Sequence, residues 1–124
     1  MQELLREYLS PVLLGSNTAC HACVRLFEKR YGLESTVLTG KRALTLRFLP
    51  AVTVVDAPPT REDDILLAIL RDHSDLGYGH IPLLVLCDGA YAPFFSRNRE
   101  VLEARFVLRR AEELLGKGRC NETF

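Results

Sequence analysis

The chain has 124 residues, 48% hydrophobic and 26% charged, with 16 Lys and Arg set against 16 Asp and Glu. That length suits one domain with a real core, since a chain of about 100–150 residues buries roughly two-thirds of the surface its unfolded form exposes. The balanced charge argues against affinity built on neutralising nucleic-acid phosphates or anionic lipid, so neither nucleic acid nor a membrane is expected as a partner.

No apolar run approaches the roughly 20 residues of a membrane span. The stretch from Met1 to Leu9 mixes charges into its apolar positions, unlike a secretory leader. A cytoplasmic protein is expected, with its cysteines at 20, 23, 87 and 120 reduced. The sequon Asn121-Glu122-Thr123 carries no meaning without an export signal.

Short apolar runs alternate with longer amphipathic ones, which predicts βαβ units on a parallel sheet. Leu4, Leu5, Tyr8 and Leu9 form an amphipathic lead-in, and Pro11 opens a first strand, Val12 to Leu14, stopped by Gly15. Ser16 or Asn17 can cap a helix running to about Tyr31, with Cys20, Cys23, Val24, Phe27 and Tyr31 as its buried stripe and Gly32 as its C-cap. Ser35 to Leu38 reads as a second strand, and residues 43–50 carry no clear pattern. Ala51 to Val55 is β-branched and is the clearest strand by propensity. Thr60 with Asp63 resembles a capping box for a helix carrying Ile65, Leu66, Ile69, Leu70 and His73, closed by Gly77 and Gly79. Ile81 to Cys87 reads as a strand buried on both faces, with Pro82 tolerated near its start. Helical turns follow around Tyr91 to Phe95 and Arg99 to Arg105, then a short edge strand at Phe106-Val107 and a last helix from Arg109 to Leu115 ended by Gly116. The expectation is one three-layer α/β domain over residues 1–118, Rossmann-like, with a mostly parallel open sheet of about four strands in the order 2-1-3-4. Residues 119–124 read as a disordered tail.

Three places could carry chemistry. The turn Gly15-Ser16-Asn17 lies between a strand and a helix start, where free amides and the helix dipole suit a phosphate or carboxylate. It has one glycine rather than G-x-G-x-x-G, and Lys41-Arg42 stand where a dinucleotide site wants an acid. The bland alternative is an ordinary capped turn. Cys20-His21-Ala22-Cys23 has the spacing of a thioredoxin-like redox pair, with His80-Ile81-Pro82 adding to that look. Both thiols sit on the apolar stripe, which favours core packing. A zinc site would need two more ligands, for which Cys87 and His73 are the conceivable ones. Asp88-Gly89-Ala90-Tyr91 follows the most buried strand, where ligands of open α/β sheets collect. With the order 2-1-3-4, the crevice would open between Val12–Leu14 and Ala51–Val55, lined by Gly15–Asn17 and Asp56–Pro59 with Asp88–Tyr91 nearby. His73 reads as a half-buried helix residue, and the arginines at 97, 99, 105, 109 and 110 interleave with glutamates as a solvated face. No catalytic triad, paired carboxylates or metal-binding helix stands out.

Two segments in order carry a family resemblance. Pro11-Val12-Leu13-Leu14-Gly15-Ser16-Asn17, with Arg25, Phe27 and Tyr31-Gly32 after it, is followed by Leu86-Cys87-Asp88-Gly89-Ala90-Tyr91 and then Ser96-Arg97-Asn98. Together they resemble the N-terminal, pre-ATP-grasp domain of ATP-grasp carboxylate–amine ligases, especially those similar to D-aspartate ligase. The likeness spans roughly Pro11 to Gly116. Asn17 departs from it where an aspartate is usual, and His21-Ala22 replaces an aromatic–glycine pair. The resemblance implies a substrate-side domain fragment that catalyses nothing alone, with ATP and magnesium held by later domains and no cofactor or metal in this chain. It implies a small carboxylate or amino acid as ligand, with Gly15, Ser16, Asn17, Asp88, Gly89 and Tyr91 as binding residues. A thioredoxin-like oxidoreductase using Cys20 and Cys23, or a non-enzymatic assembly module docking through residues 1–10, are the other readings. A homodimer is left open.

Overall fold

The structure, a computed structural model, describes residues 9–15, 17–40, 52–74 and 81–116. Five strands, β1 (Leu9–Leu14), β2 (Ser35–Thr39), β3 (Val52–Asp56), β4 (Ile81–Leu86) and β5 (Val107–Arg110), form one all-parallel sheet in the order β3-β2-β1-β4-β5. The α/β class with a parallel open sheet is therefore as the sequence pattern predicts, but the strand number and order differ. β3 lies at the edge beyond β2, not beside β1. Burial explains this: β1 and β4 end in four consecutive buried residues each, whereas none of the β3 residues is buried and Thr53 and Asp56 are exposed. Strands covered on both faces belong in the centre of a parallel sheet.

Two prolines sit inside the central strands, where a ladder normally needs every amide. Pro11 is paired with Leu83 of β4, while the register with β2 starts only at Val12. Pro82 is paired with Ser10, while the register with β5 starts only at Leu83. Each proline thus falls where its strand has a neighbour on one side alone.

Helices cover both faces. On one, α1 (Thr18–Leu26) and a terminal α5 (Ala111–Leu115) enclose Leu13, Val37, Leu83 and Val85 with Cys20, Cys23, Val24 and Phe27. On the other, α2 (Asp63–Ser74), α3 (Ala92–Arg97) and α4 (Arg99–Glu103) enclose Val12, Leu14, Leu38, Leu84 and Leu86 with Leu66, Leu70, Phe94 and Leu102. This side-switching follows from right-handed crossovers: β1 to β2 steps one way along the sheet, and β3 to β4 and β4 to β5 step the other way.

Local chemistry sets the element ends. α1 passes into a π-helical turn at Phe27–Tyr31 and stops at Gly32, whose φ of 66° is left-handed. α2 starts at Asp63 rather than Thr60, because Glu62 supplies its first carbonyl, to the Ile65 and Leu66 amides at 3.1 Å, while Arg61 closes a turn on Pro58. Arg109 and Arg110 join β5 instead of the last helix, paired with Val85 and Leu86. Glu113 then accepts from the Arg110 amide at 2.7 Å and starts α5. The expected lead-in at residues 4–8, the helix-closing Gly77 and Gly79, and the tail from 119 lie outside the described residues.

Candidate functional site

With the observed order, strand direction of travel reverses between β1 and β4, so the crevice beyond the carboxyl ends opens between those two strands. This corrects the expected crevice between β1 and β3. It also brings the two loops that the sequence singles out, Gly15–Asn17 and Asp88–Tyr91, directly against each other.

The junction is tightly stitched. The Leu14 carbonyl accepts from the Cys87 amide at 3.1 Å and the Asp88 amide at 3.0 Å, and the Gly15 amide donates to Leu38 at 2.9 Å. Gly15 has φ 124°, and a Cβ there would lie 2.4 Å from the Asp88 Cβ. Only glycine satisfies both the conformation and the approach. Gly15 is buried, so its part is to let β1 and β4 close up, not to touch a ligand with its own surface.

Asn17 is the N-cap of α1. Its Oδ1 accepts from the Cys20 amide at 3.1 Å, and its Nδ2 donates to the Cys87 carbonyl at 2.9 Å. One side chain therefore caps the helix and ties it to the end of β4. An aspartate could make the first bond but not the second. The expectation of a turn with bare amides is thereby narrowed. His21 donates to the Asn17 carbonyl at 3.1 Å and Cys20 is capped, while the Thr18 and Ala19 amides have no acceptor among the described residues. Ser16 lies outside the described residues.

Across the crevice, Asp88 is half-buried and its Oδ1 accepts from the Ala90 amide at 3.0 Å, opening a short 3-10 turn at Gly89–Tyr91. Gly89 and Ala90 are exposed, and a Cβ at Gly89 would meet nothing within 4 Å. Tyr91 differs from expectation. It is buried, and its phenol donates to the Ala57 carbonyl at 2.6 Å. Burial, reinforced by the negative charge of Asp88, pushes its pKa up, so it remains a neutral donor. Tyr91 shapes the site by locking the loops after β2 and β3; it does not face a ligand. Gly40 shares this packing: a Cβ there would lie 2.4 Å from the Pro58 Cβ.

Sequence reasoning missed the clamp below this rim. Arg97 binds Asp63 through two bonds of 3.0 and 2.9 Å, and Asn98 adds a third at 2.8 Å. The Arg97 and Asn98 hydrogen bonds hold the Asp63 carboxyl down at about 2. The Ser96-Arg97-Asn98 segment thus fixes the start of α2 against α3 instead of forming a loose charged face. The signal is an acid in the first turn of α2 and a basic–amide pair at the end of α3.

The cysteines pack as expected. Cys20 and Cys23 are unbonded and wholly buried, leaving no surface by which a protein disulfide could reach either sulfur. Cys87, just past the end of β4, packs in the same cluster, and the neighbouring Cys20 and Cys23 thiols together with burial push its pKa up. His73 is on α2, across the sheet from these thiols, which separates it from a shared metal site. Among the described residues no group of three or more His, Cys, Asp or Glu side chains could hold a metal ion. Nor is any described helix long and apolar enough to cross a membrane. No known family, curated protein or solved structure matches this chain.

Proposed function

We propose that this chain is the substrate-side, pre-ATP-grasp-like domain of an ATP-dependent carboxylate–amine ligase, and that the switch point between β1 and β4 receives a small carboxylate, best an amino acid. The observation that carries this reading is the pairing of opposite electrostatics within one rim. The start of α1 offers the Thr18 and Ala19 amides and the positive end of its dipole. Asp88 stands across from it with one carboxylate oxygen engaged by Ala90. A plain anion would meet both attraction and repulsion there. A zwitterion can set its carboxylate on the helix start and its ammonium on Asp88.

The chain contributes position, not reaction, in this reading. Asn17 orients the helix start, Gly15 allows the close approach, and Tyr91 keeps the floor rigid. Activation of a carboxylate by ATP and magnesium belongs to other domains of such a ligase. Isothermal titration with amino acids, matched simple carboxylates and ATP tests the proposal. Weak amino-acid binding, reduced roughly tenfold by Asp88→Asn as expected for a lost charge contact of about 1.4 kcal/mol, is the expected result. ATP hydrolysis by the chain alone would overturn it.

A further inference from the structure

The Arg97–Asp63–Asn98 clamp joins the first turn of α2 to Asn98, the residue that opens α4. From there α2 leads to the start of β4 and α4 to the start of β5, and these strands are parallel neighbours, so the two helices descend side by side. A groove of about 340 Å³ lies between them, floored by the buried side chains of Leu70, Leu102 and Phe106. Half-buried Leu67 forms one wall and Val101, 51% exposed, the other. Small-molecule sites have this volume and this make-up, concave and mostly apolar with a few charged groups to fix orientation. The charges here are sorted by end. Asp64 stands next to the clamp, whereas Arg71 lies seven residues further along α2, about 10 Å at 1.5 Å per residue. Arg105 lies seven residues past Asn98, held in the turn that ends α4 by donation of its amide to the Leu102 carbonyl at 3.0 Å. Both guanidiniums therefore line the far end, and the acid lines the near one.

We propose that this groove is a second ligand site, for an aliphatic carboxylate of medium chain length. Its chain lies on the Leu70–Leu102–Phe106 floor, and its carboxylate sits at the Arg71–Arg105 end. Guanidinium is the side chain best matched to a carboxylate, because its planar fork can donate two parallel hydrogen bonds. Asp64 repels the reversed orientation, so the charge pattern fixes which way the chain runs. The clamp holds the two helix starts together and so keeps the gap between them constant. An amino acid carries its ammonium beside its carboxylate and would set that ammonium against two guanidiniums. This groove and the rim between β1 and β4 therefore select different ligands, and the inference does not rest on the ligase reading.

The test titrates the full chain with octanoate and, separately, with octanol, followed by backbone amide NMR. Octanoate should give saturable shifts centred on Leu67, Leu70, Leu102 and Phe106, and octanol should bind about tenfold more weakly. Arg105 is exposed, so Arg105→Gln leaves the core untouched; it should weaken octanoate roughly tenfold and leave octanol unchanged. Val101→Trp, at the half-exposed wall, should fill the groove and abolish both sets of shifts. Equal affinity for octanol and octanoate would remove the carboxylate from the proposal and overturn it. So would shifts that spread over the surface without saturating, or a dimer of the chain that covers Leu70 and Leu102 in the absence of any ligand.

Discussion

Gly15 concentrates two demands on one backbone position, a φ of 124° and contact with Asp88 at a distance no Cβ can share. Gly15→Ala should therefore cost about 3 kcal/mol, from positive-φ strain plus displacement of the β4 end, read as a lowered urea midpoint. Tyr91 carries a different burden. Tyr91→Phe keeps the ring's packing but strands the Ala57 carbonyl, and should cost about 1–2 kcal/mol in the same measurement. Asp63 makes stability pH-dependent in a known direction. Its folded-state carboxyl is depressed from 3.8 to about 2, so its contribution is whole above the ordinary carboxylate range and is lost as pH falls through about 2. Asp63→Asn should flatten that part of the pH–stability curve; an unchanged acid limb would contradict the clamp.

At the scale of elements, α1 hangs on Asn17. Asn17→Ala should destabilise by about 1–2 kcal/mol, losing a cap and a helix-to-strand tie, whereas Asn17→Asp should keep the cap and lose the tie. Urea unfolding of both variants separates the two contributions. Much of this layer was legible beforehand. The stripe of Cys20, Cys23, Val24 and Phe27, the left-handed end at Gly32 and the apolar strand from Ile81 to Leu86, buried from Leu83 on, follow from periodicity and glycine chemistry. The end of the first strand at Gly15 was legible too, though not why a glycine is needed, since Asp88 is distant in sequence. The start of α2 at Asp63 follows from Glu62 supplying the first carbonyl, while the engagement of Asp63 by Arg97 and Asn98, more than thirty residues away in the chain, is visible only in the fold. Tyr91 looked like a rim residue because only the fold reveals that its phenol reaches under the neighbouring loop.

For the whole molecule, strand order was the piece that propensity could not supply. β-branched composition makes Ala51–Val55 the most obvious strand, yet the lack of any buried residue in β3 marks it as an edge, and four consecutive buried residues mark β1 and β4 as the centre. The observed order places the crevice at the gap where both candidate loops converge. A separate groove of about 340 Å³ lies between α2 and α4, floored by Leu70, Leu102 and Phe106. The two places make opposite forecasts for a ligand. Backbone amide NMR during titration with an amino acid decides between them: the largest shifts should fall on Thr18, Ala19, Gly89 and Ala90. Shifts centred on Leu70 and Leu102, or none at millimolar ligand, would contradict a binding site at the ends of β1 and β4.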